Sequence, residues 1–260
     1  MVLTKIIQPK KKIMKASIII NSILTGVVSS IILLSCQKEA YSPTAQENRN
    51  LSKSAFVKLH NGIVNSNRTY IYSDLVPLNG ATIAYGSVFP ALSPSYAALN
   101  AGARAIAIRD TLFPSTQYPL AFNTQLDAGA FYTIFAYDSL NAPKQKIVKD
   151  NIEAFGDTTA RIRFANFPYS TAAMPNVDIF SQKRQANVFT NIAPTAVTDF
   201  IPYASGLNDT LYVRPTGTTT VLTQSTLLPT ARRSYTVIFR GSYRVTSGAA
   251  ARTLTSFLSY

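Results

Sequence analysis

ARIRFAN, residues 160–166, alternates apolar and basic side chains. Ile162 and Phe164 fall on one face, Arg161 and Arg163 on the other. A period of two marks a half-buried β-strand. The same pattern opens AFVKLHN, residues 55–61. From these two strands outward the chain repeats itself. TYIYSD (69–74) parallels NVDIFSQ (176–182), and AYGSVFPALSPSY (84–96) parallels VFTNIAPTAVTDF (188–200), each of the latter pair closing on an aromatic. AGARAIAIRDT (101–111) parallels SGLNDTLYVRPT (205–216), which sets Arg109 against Arg214. GAFYTIFAYDS (129–139) parallels RRSYTVIFRGS (232–242). Five matches in one order, at offsets of roughly 102 to 108, indicate a duplicated unit.

Each copy spans about 100 residues of short strands, broken by Pro, Gly, Asn and Ser every 8–12 residues. That spacing predicts an all-β chain of two tandem immunoglobulin-like antiparallel β-sandwich domains. The boundaries fall at 55–150 and 151–260. Composition agrees: 14 Tyr, 14 Phe and 14 Pro favour strands and turns. Charged residues are only 14%, so Ser, Thr, Asn and Gln must supply much of the polar surface. The Cys pair and Trp of antibody domains are absent, which makes the immunoglobulin likeness architectural.

Before the first copy lie two other segments. Lys10, Lys11, Lys12 and Lys15 precede the apolar run ASIIINSILTGVVSSIILLS, residues 16–35. A basic flank, an apolar stretch and a small residue before a cut make a secretory signal, here 1–35. Met14 is an alternative initiator to Met1. The competing reading is an uncleaved transmembrane helix, since about 20 apolar residues can span a bilayer. Leu33-Leu34-Ser35-Cys36 resembles the lipobox of bacterial lipoproteins, in which cleavage precedes a cysteine that then carries diacylglycerol. Leu34 is bulkier than is usual at its position. Cys36 is the lone cysteine, so no intramolecular disulfide can form. Acylation would give a membrane-lipid partner and exceed the two-signal requirement for stable anchoring. Residues 36–54 read as the lipidated Cys and a polar tether. The expected location is the outer membrane, lipid-anchored. The Gln37-Lys38-Glu39 step favours surface exposure, with the periplasmic leaflet as the alternative.

The second copy resembles a domain of unknown function common in bacterial extracytoplasmic lipoproteins. The residues that carry the resemblance are Val177-Asp178-Ile179, Thr198-Asp199-Phe200, Val213-Arg214-Pro215-Thr216-Gly217 and Tyr235-Thr236-Val237. The first copy departs from it, with Tyr70 for Asp178 and Arg109-Asp110 for the Arg-Pro turn. The resemblance implies an immunoglobulin-like sandwich and no activity.

Chemistry-bearing residues are few. His60 is the one histidine, and it reads as a half-exposed strand residue. One His and one Cys cannot build a multi-His or Cys zinc site, and no Walker loop or nucleophile elbow is present. No catalytic residue, metal site or cofactor is expected. Five of the 25 basic residues precede residue 36, and no run of Lys or Arg beyond it exceeds two, so a nucleic-acid partner is not expected. Asp178 and Asp199 suggest turn or strand-edge acceptors, brought together by the fold. Arg109 and Arg214 read either as strand-edge covers or as contacts to an acidic ligand. Lys183-Arg184 and Arg232-Arg233 read as solvated turn charge. Asp110-Thr111-Leu112, Asp138-Ser139-Leu140 and Asp209-Thr210-Leu211 resemble bacterial O-glycosylation sites at Thr111, Ser139 and Thr210.

The function expected is that of a non-enzymatic, membrane-anchored envelope lipoprotein with an adhesive, assembly or structural role. Its partners would be membrane lipid and a surface protein or polysaccharide. The alternative is a glycan-binding accessory of an outer-membrane uptake system.

Overall fold

The computed structural model describes residues 51–92, 94–110, 118–152 and 155–260. After a single 3-10 turn at Leu51–Lys53, seventeen strands follow and no α-helix is found among these residues. The first copy contains β1 (Ser54–Asn61), β2 (Thr69–Ser73), β3 (Val76–Pro77), β4 (Val88–Phe89), β5 (Ala97–Asn100), β6 (Gly102–Asp110), β7 (Leu120–Leu126), β8 (Phe131–Tyr137) and β9 (Lys144–Asp150). The second contains β10 (Ala160–Tyr169), β11 (Val177–Ser181), β12 (Ala186–Ile192), β13 (Ile201–Tyr203), β14 (Asp209–Pro215), β15 (Thr223–Leu227), β16 (Ser234–Ser242) and β17 (Thr253–Leu258).

The strands form four sheets, two per copy, with matching orders. One pair is β4-β1-β8-β9, with β5 also on β1, and β13-β10-β16-β17. The other is β3-β2-β6-β7 and β12-β11-β14-β15. Pairing is antiparallel except at two equivalent places, where β1 lies parallel to β8 and β10 lies parallel to β16. In each copy the chain leaves the first sheet, builds the second, and returns beside the strand it began with. That crossover makes a parallel pair possible.

Alternation explains the two cores. Ala55, Val57 and Leu59 of β1 meet Ile71, Ile106 and Ile108 from the opposite sheet. Ile162 and Phe164 of β10 meet Ile179, Leu211 and Val213 in the same way. The repeat extends to single side chains. Asn61 Nδ2 donates to Ile83 O at 3.0 Å, and Asn166 Nδ2 donates to Ile192 O at 3.0 Å.

The other face of β1 and β10 departs from the sequence expectation. It is not solvated. Phe135, Ala165, Phe167 and Ile238 form a third buried cluster between the copies. Phe135 of β8 stacks on Phe167 of β10 at 4.9 Å. The two sheets that hold β1 and β10 are therefore inner layers, and those that hold β2 and β11 are outer layers. His60, expected half-exposed, is 1% exposed. Arg163 is 2% exposed, because its supposed solvent face is this seam.

Candidate functional site

The outer sheets present the faces that remain free to bind. In β2 (TYIYS), Thr69, Ile71 and Ser73 point inward; of the two residues on the other face Tyr70 is half-buried, while Tyr72 is only 9% exposed. Arg109 of β6 sits opposite Tyr70, and its guanidinium lies 4.5 Å over the Tyr72 ring. The rest of this face is small. Ala105, Ala121 and Asn123 are exposed around the stack. In the second copy Arg214 of β14 sits opposite Asp178, with its guanidinium 3.8 Å over Phe180 and 5.5 Å from Tyr212.

Arg109 and Arg214 thus hold equivalent places. Neither covers a sheet edge, contrary to one expectation, because β6 and β14 are interior strands of their sheets. Neither forms an ion pair with a described acid, and Arg214 Nε is buried without a hydrogen-bond partner. A guanidinium lying over an aromatic ring keeps its charge, and its outward N–H groups can still donate. The arrangement can receive an anionic or polar group laid on the sheet face.

Asp178 serves the fold beneath this stack. It accepts hydrogen bonds from Asn191 N (2.7 Å), Thr216 Oγ1 (3.0 Å), Asn187 Nδ2 (3.1 Å) and Gly217 N (3.3 Å). Burial pushes its pKa up, but these donors outweigh it and hold the carboxyl below its usual range. Asp199 is not beside it. It is exposed and lies before β13, at a cleft of about 110 Å³ lined also by Lys149, Arg161, Arg163 and Tyr260. The expected pairing of Asp178 with Asp199 therefore fails, since the two belong to different layers.

Of the remaining sequence candidates, Cys36 and Thr111 lie outside the described residues. Ser139 is half-buried in the turn between β8 and β9, where its amide donates to Asp138 Oδ1. Thr210 is half-buried within β14, with its hydroxyl 3.5 Å from that of Thr226. Its neighbour Asp209 is buried and accepts from Ser181 Oγ, Tyr203 OH and Lys183 N. Lys183, Arg184, Arg232 and Arg233 are exposed in turns, as expected.

Sequence reasoning missed the polar network in the seam. Arg163 Nη1 contacts Asp150 Oδ1 at 2.6 Å, Nη2 donates to Thr133 Oγ1 at 3.0 Å, and Nε donates to Thr236 Oγ1 at 2.8 Å. Asp150 Oδ2 accepts from Thr133 Oγ1 at 2.6 Å and from Tyr96 OH at 2.9 Å. Lys58 Nζ donates to Leu258 O and Ser259 O at 2.9 and 2.8 Å. Its burial lowers its pKa to about 8, against the opposing pull of Asp150. Two signals pointed here. Both copies place a cation at the same strand position, and both close their third segment on an aromatic. Lys58 lies 4.4 Å over the Tyr96 ring, and Arg163 lies 4.6 Å over the Phe200 ring.

Among the described residues no three His, Cys, Asp or Glu side chains converge to hold a metal ion. No helix there is long and apolar enough to cross a membrane.

Comparison with known proteins finds a family model similar to part of the chain. Residues 55–180 match a domain of unknown function, DUF4397. The match covers the first copy and runs through β10 to Phe180 in β11, so the resemblance residues beyond Phe180 lie outside it. No curated protein matches the chain. A solved structure titled CBMbc (family CBM26) from Eubacterium rectale Amy13K in complex with maltoheptaose aligns at 10% identity. It covers 78% of this chain and 96% of that one, with a TM-score of 0.24, too low for the likeness to carry an argument.

Proposed function

We propose that the chain is a non-enzymatic envelope lipoprotein whose paired sandwiches bind an acidic surface partner, protein or polysaccharide, in adhesion or assembly. The observation that carries the binding is the repeated stack of Arg109 on Tyr72 and Arg214 on Phe180, each without a described acid to neutralise it. Six of the nine described acids are otherwise engaged. Asp74, Asp110, Asp127, Asp138, Asp150 and Asp157 all pair with cations. A guanidinium over an aromatic ring and without an ion-pair partner in both copies suits bidentate capture of a carboxylate or sulfate. The immunoglobulin-like character of the two units and their boundary near residue 150 belong to this reading. So does anchoring through acylated Cys36, which rests on the Leu33-Leu34-Ser35-Cys36 step.

The second reading is a glycan-binding accessory of an uptake system. It is favoured by Tyr70 and Tyr212, half-buried aromatics on the outer sheets on which sugar rings can stack.

An array of uronate-bearing, sulfated and neutral glycans separates the two. The first reading expects acidic glycans to bind wild type, with binding lost in Arg109→Ala/Arg214→Ala. Equal binding of neutral glycans by that variant would favour the second. Palmitate labelling of native cells tests the anchor, with incorporation expected to vanish in Cys36→Ala. Protease shaving of intact cells then reports whether the protein faces outward.

A further inference from the structure

Five of the nine large exposed apolar side chains among the described residues lie at one end of the paired sandwiches, the end at which β1 begins. Leu51 is 51% exposed there, just before β1. The hairpin between β2 and β3 turns at the same end, since Ala101 N bonds Lys53 O and Asp74 N bonds Ala105 O at the start of β6. Its two turn residues, Asp74 (φ 49) and Leu75 (φ 71), both adopt the left-handed conformation. A leucine there is costly, and Leu75 is nevertheless 86% exposed, with Val76 62% exposed beside it. Arg104 holds the turn through a 2.7 Å bond to Asp74.

The second sandwich has its corresponding end alongside. The segment from β9 to β10 joins the two ends, and Lys58 near the start of β1 bonds Leu258 and Ser259 at the end of β17. Further along, His60 stacks on Phe257 and Arg240 covers Tyr85, so the strands run side by side in one direction. The turns at this end carry Leu207 (49% exposed) and Leu228 (55% exposed). They also carry exposed Lys183, Arg184, Arg232 and Arg233, with Lys53 beside Leu51. Of the acids nearby, Asp74 pairs with Arg104, Asp127 with Lys149 and Asp157 with Arg161; Asp199 lines a cleft with Arg161 and Arg163, and Asp209 is buried, accepting from Ser181, Tyr203 and the Lys183 amide.

Apolar tips among exposed cations fit a bilayer interface with anionic headgroups. We propose that this end docks on the membrane that anchors the chain, Leu51, Leu75, Val76, Leu207 and Leu228 entering the interface and the basic turns meeting lipid phosphates. The inference rests on the anchoring reading above. Fourteen residues separate Cys36 from Leu51. On the tether reading, a segment of that length spans about 20 Å on average. It delivers this end to the lipid and keeps it there, so a weak interfacial contact suffices.

The chain has no tryptophan, so one introduced residue is a clean reporter. Full chain with its native N-terminus, carrying Leu75→Trp or Leu228→Trp, is reconstituted in vesicles of phosphatidylcholine with one-quarter phosphatidylglycerol. Val221→Trp, in the β14–β15 turn at the opposite end and 42% exposed, is the control. The first two should shift to the blue and be quenched by brominated lipid, while Val221→Trp should not. Arg232→Glu/Arg233→Glu should weaken docking more than tenfold, since each basic residue near an anionic surface contributes roughly a fivefold factor. Equal emission from both ends, or no quenching at Leu75→Trp and Leu228→Trp, overturns the proposal. Intact mass of Cys36 is read in the same samples. An unacylated Cys36 with quenched reporters refutes the lipid anchor and leaves docking standing. An acylated Cys36 with unquenched reporters refutes docking alone.

Discussion

Lys58 and Arg163 occupy the same position in the two copies, opposite Thr133 and Thr236 on parallel neighbours, and each carries its charge across the seam. Lys58 reaches the carbonyls of Leu258 and Ser259 in the second sandwich, and Arg163 reaches Asp150 and Thr133 in the first. The exchange is reciprocal, as expected for a duplicated unit packed on its own copy. It is chemically unequal, because only Arg163 finds a carboxylate. A buried ion pair adds little over a well-packed apolar replacement, but it penalises any arrangement that leaves one charge unpaired. The network therefore fixes how the sandwiches meet more than how tightly.

Removing one member should be severe. Arg163→Ala leaves Asp150 buried at 0% side-chain exposure without its cation. A loss of about 3–5 kcal/mol is expected. Urea denaturation would measure it, and the Asp150→Asn/Arg163→Met double variant should recover much of the loss.

His60 should act in the opposite sense. Its two ring nitrogens are buried without partners, so His60→Leu should change stability at neutral pH by no more than about 1 kcal/mol, or raise it. Burial, then repulsion from Arg240, lowers its pKa from 6.5 to about 3. The unfolded chain takes up this proton near pH 6.5, and the folded chain only near pH 3. Stability due to neutral His60 is present above that window and is lost as pH falls through it. Thermal melts between pH 7 and 3 should fall less steeply for His60→Leu than for wild type. Parallel slopes would contradict this.

Asp178 should matter to the second sandwich alone. Asp178→Ala removes the acceptor for the amides of Asn191 and Gly217 and for the Thr216 hydroxyl. Loss of hydrogen bonds to a charged group predicts a cost of roughly 2–3 kcal/mol. Hydrogen exchange should rise first at residues 187–192 and 214–217.

Gly241 admits no side chain. Its φ is 93°, and a Cβ there would sit 2.1 Å from Ala251 O, which is backbone. Gly241→Ala should cost about 2 kcal/mol or more. Gly102, at φ 103° with open space around it, carries the conformational strain without the clash and should cost less. Comparing the two melting temperatures separates the effects.

The sequence by itself determined the strands, their alternation and the duplication. Period-two patterns, turn residues and the matched offsets are local quantities, and AFVKLHN and ARIRFAN carry them openly. It also picked out Arg109 and Arg214 as equivalent, although their place in mid-sheet on Tyr72 and Phe180 needed the strand order. Tertiary structure alone decided which polar face is dry. Alternation distinguishes two faces of a strand but cannot say whether the second meets water or another sheet. Lys58, His60 and Arg163 look solvated in sequence and are buried in the fold, because a second copy of the same sandwich lies across them.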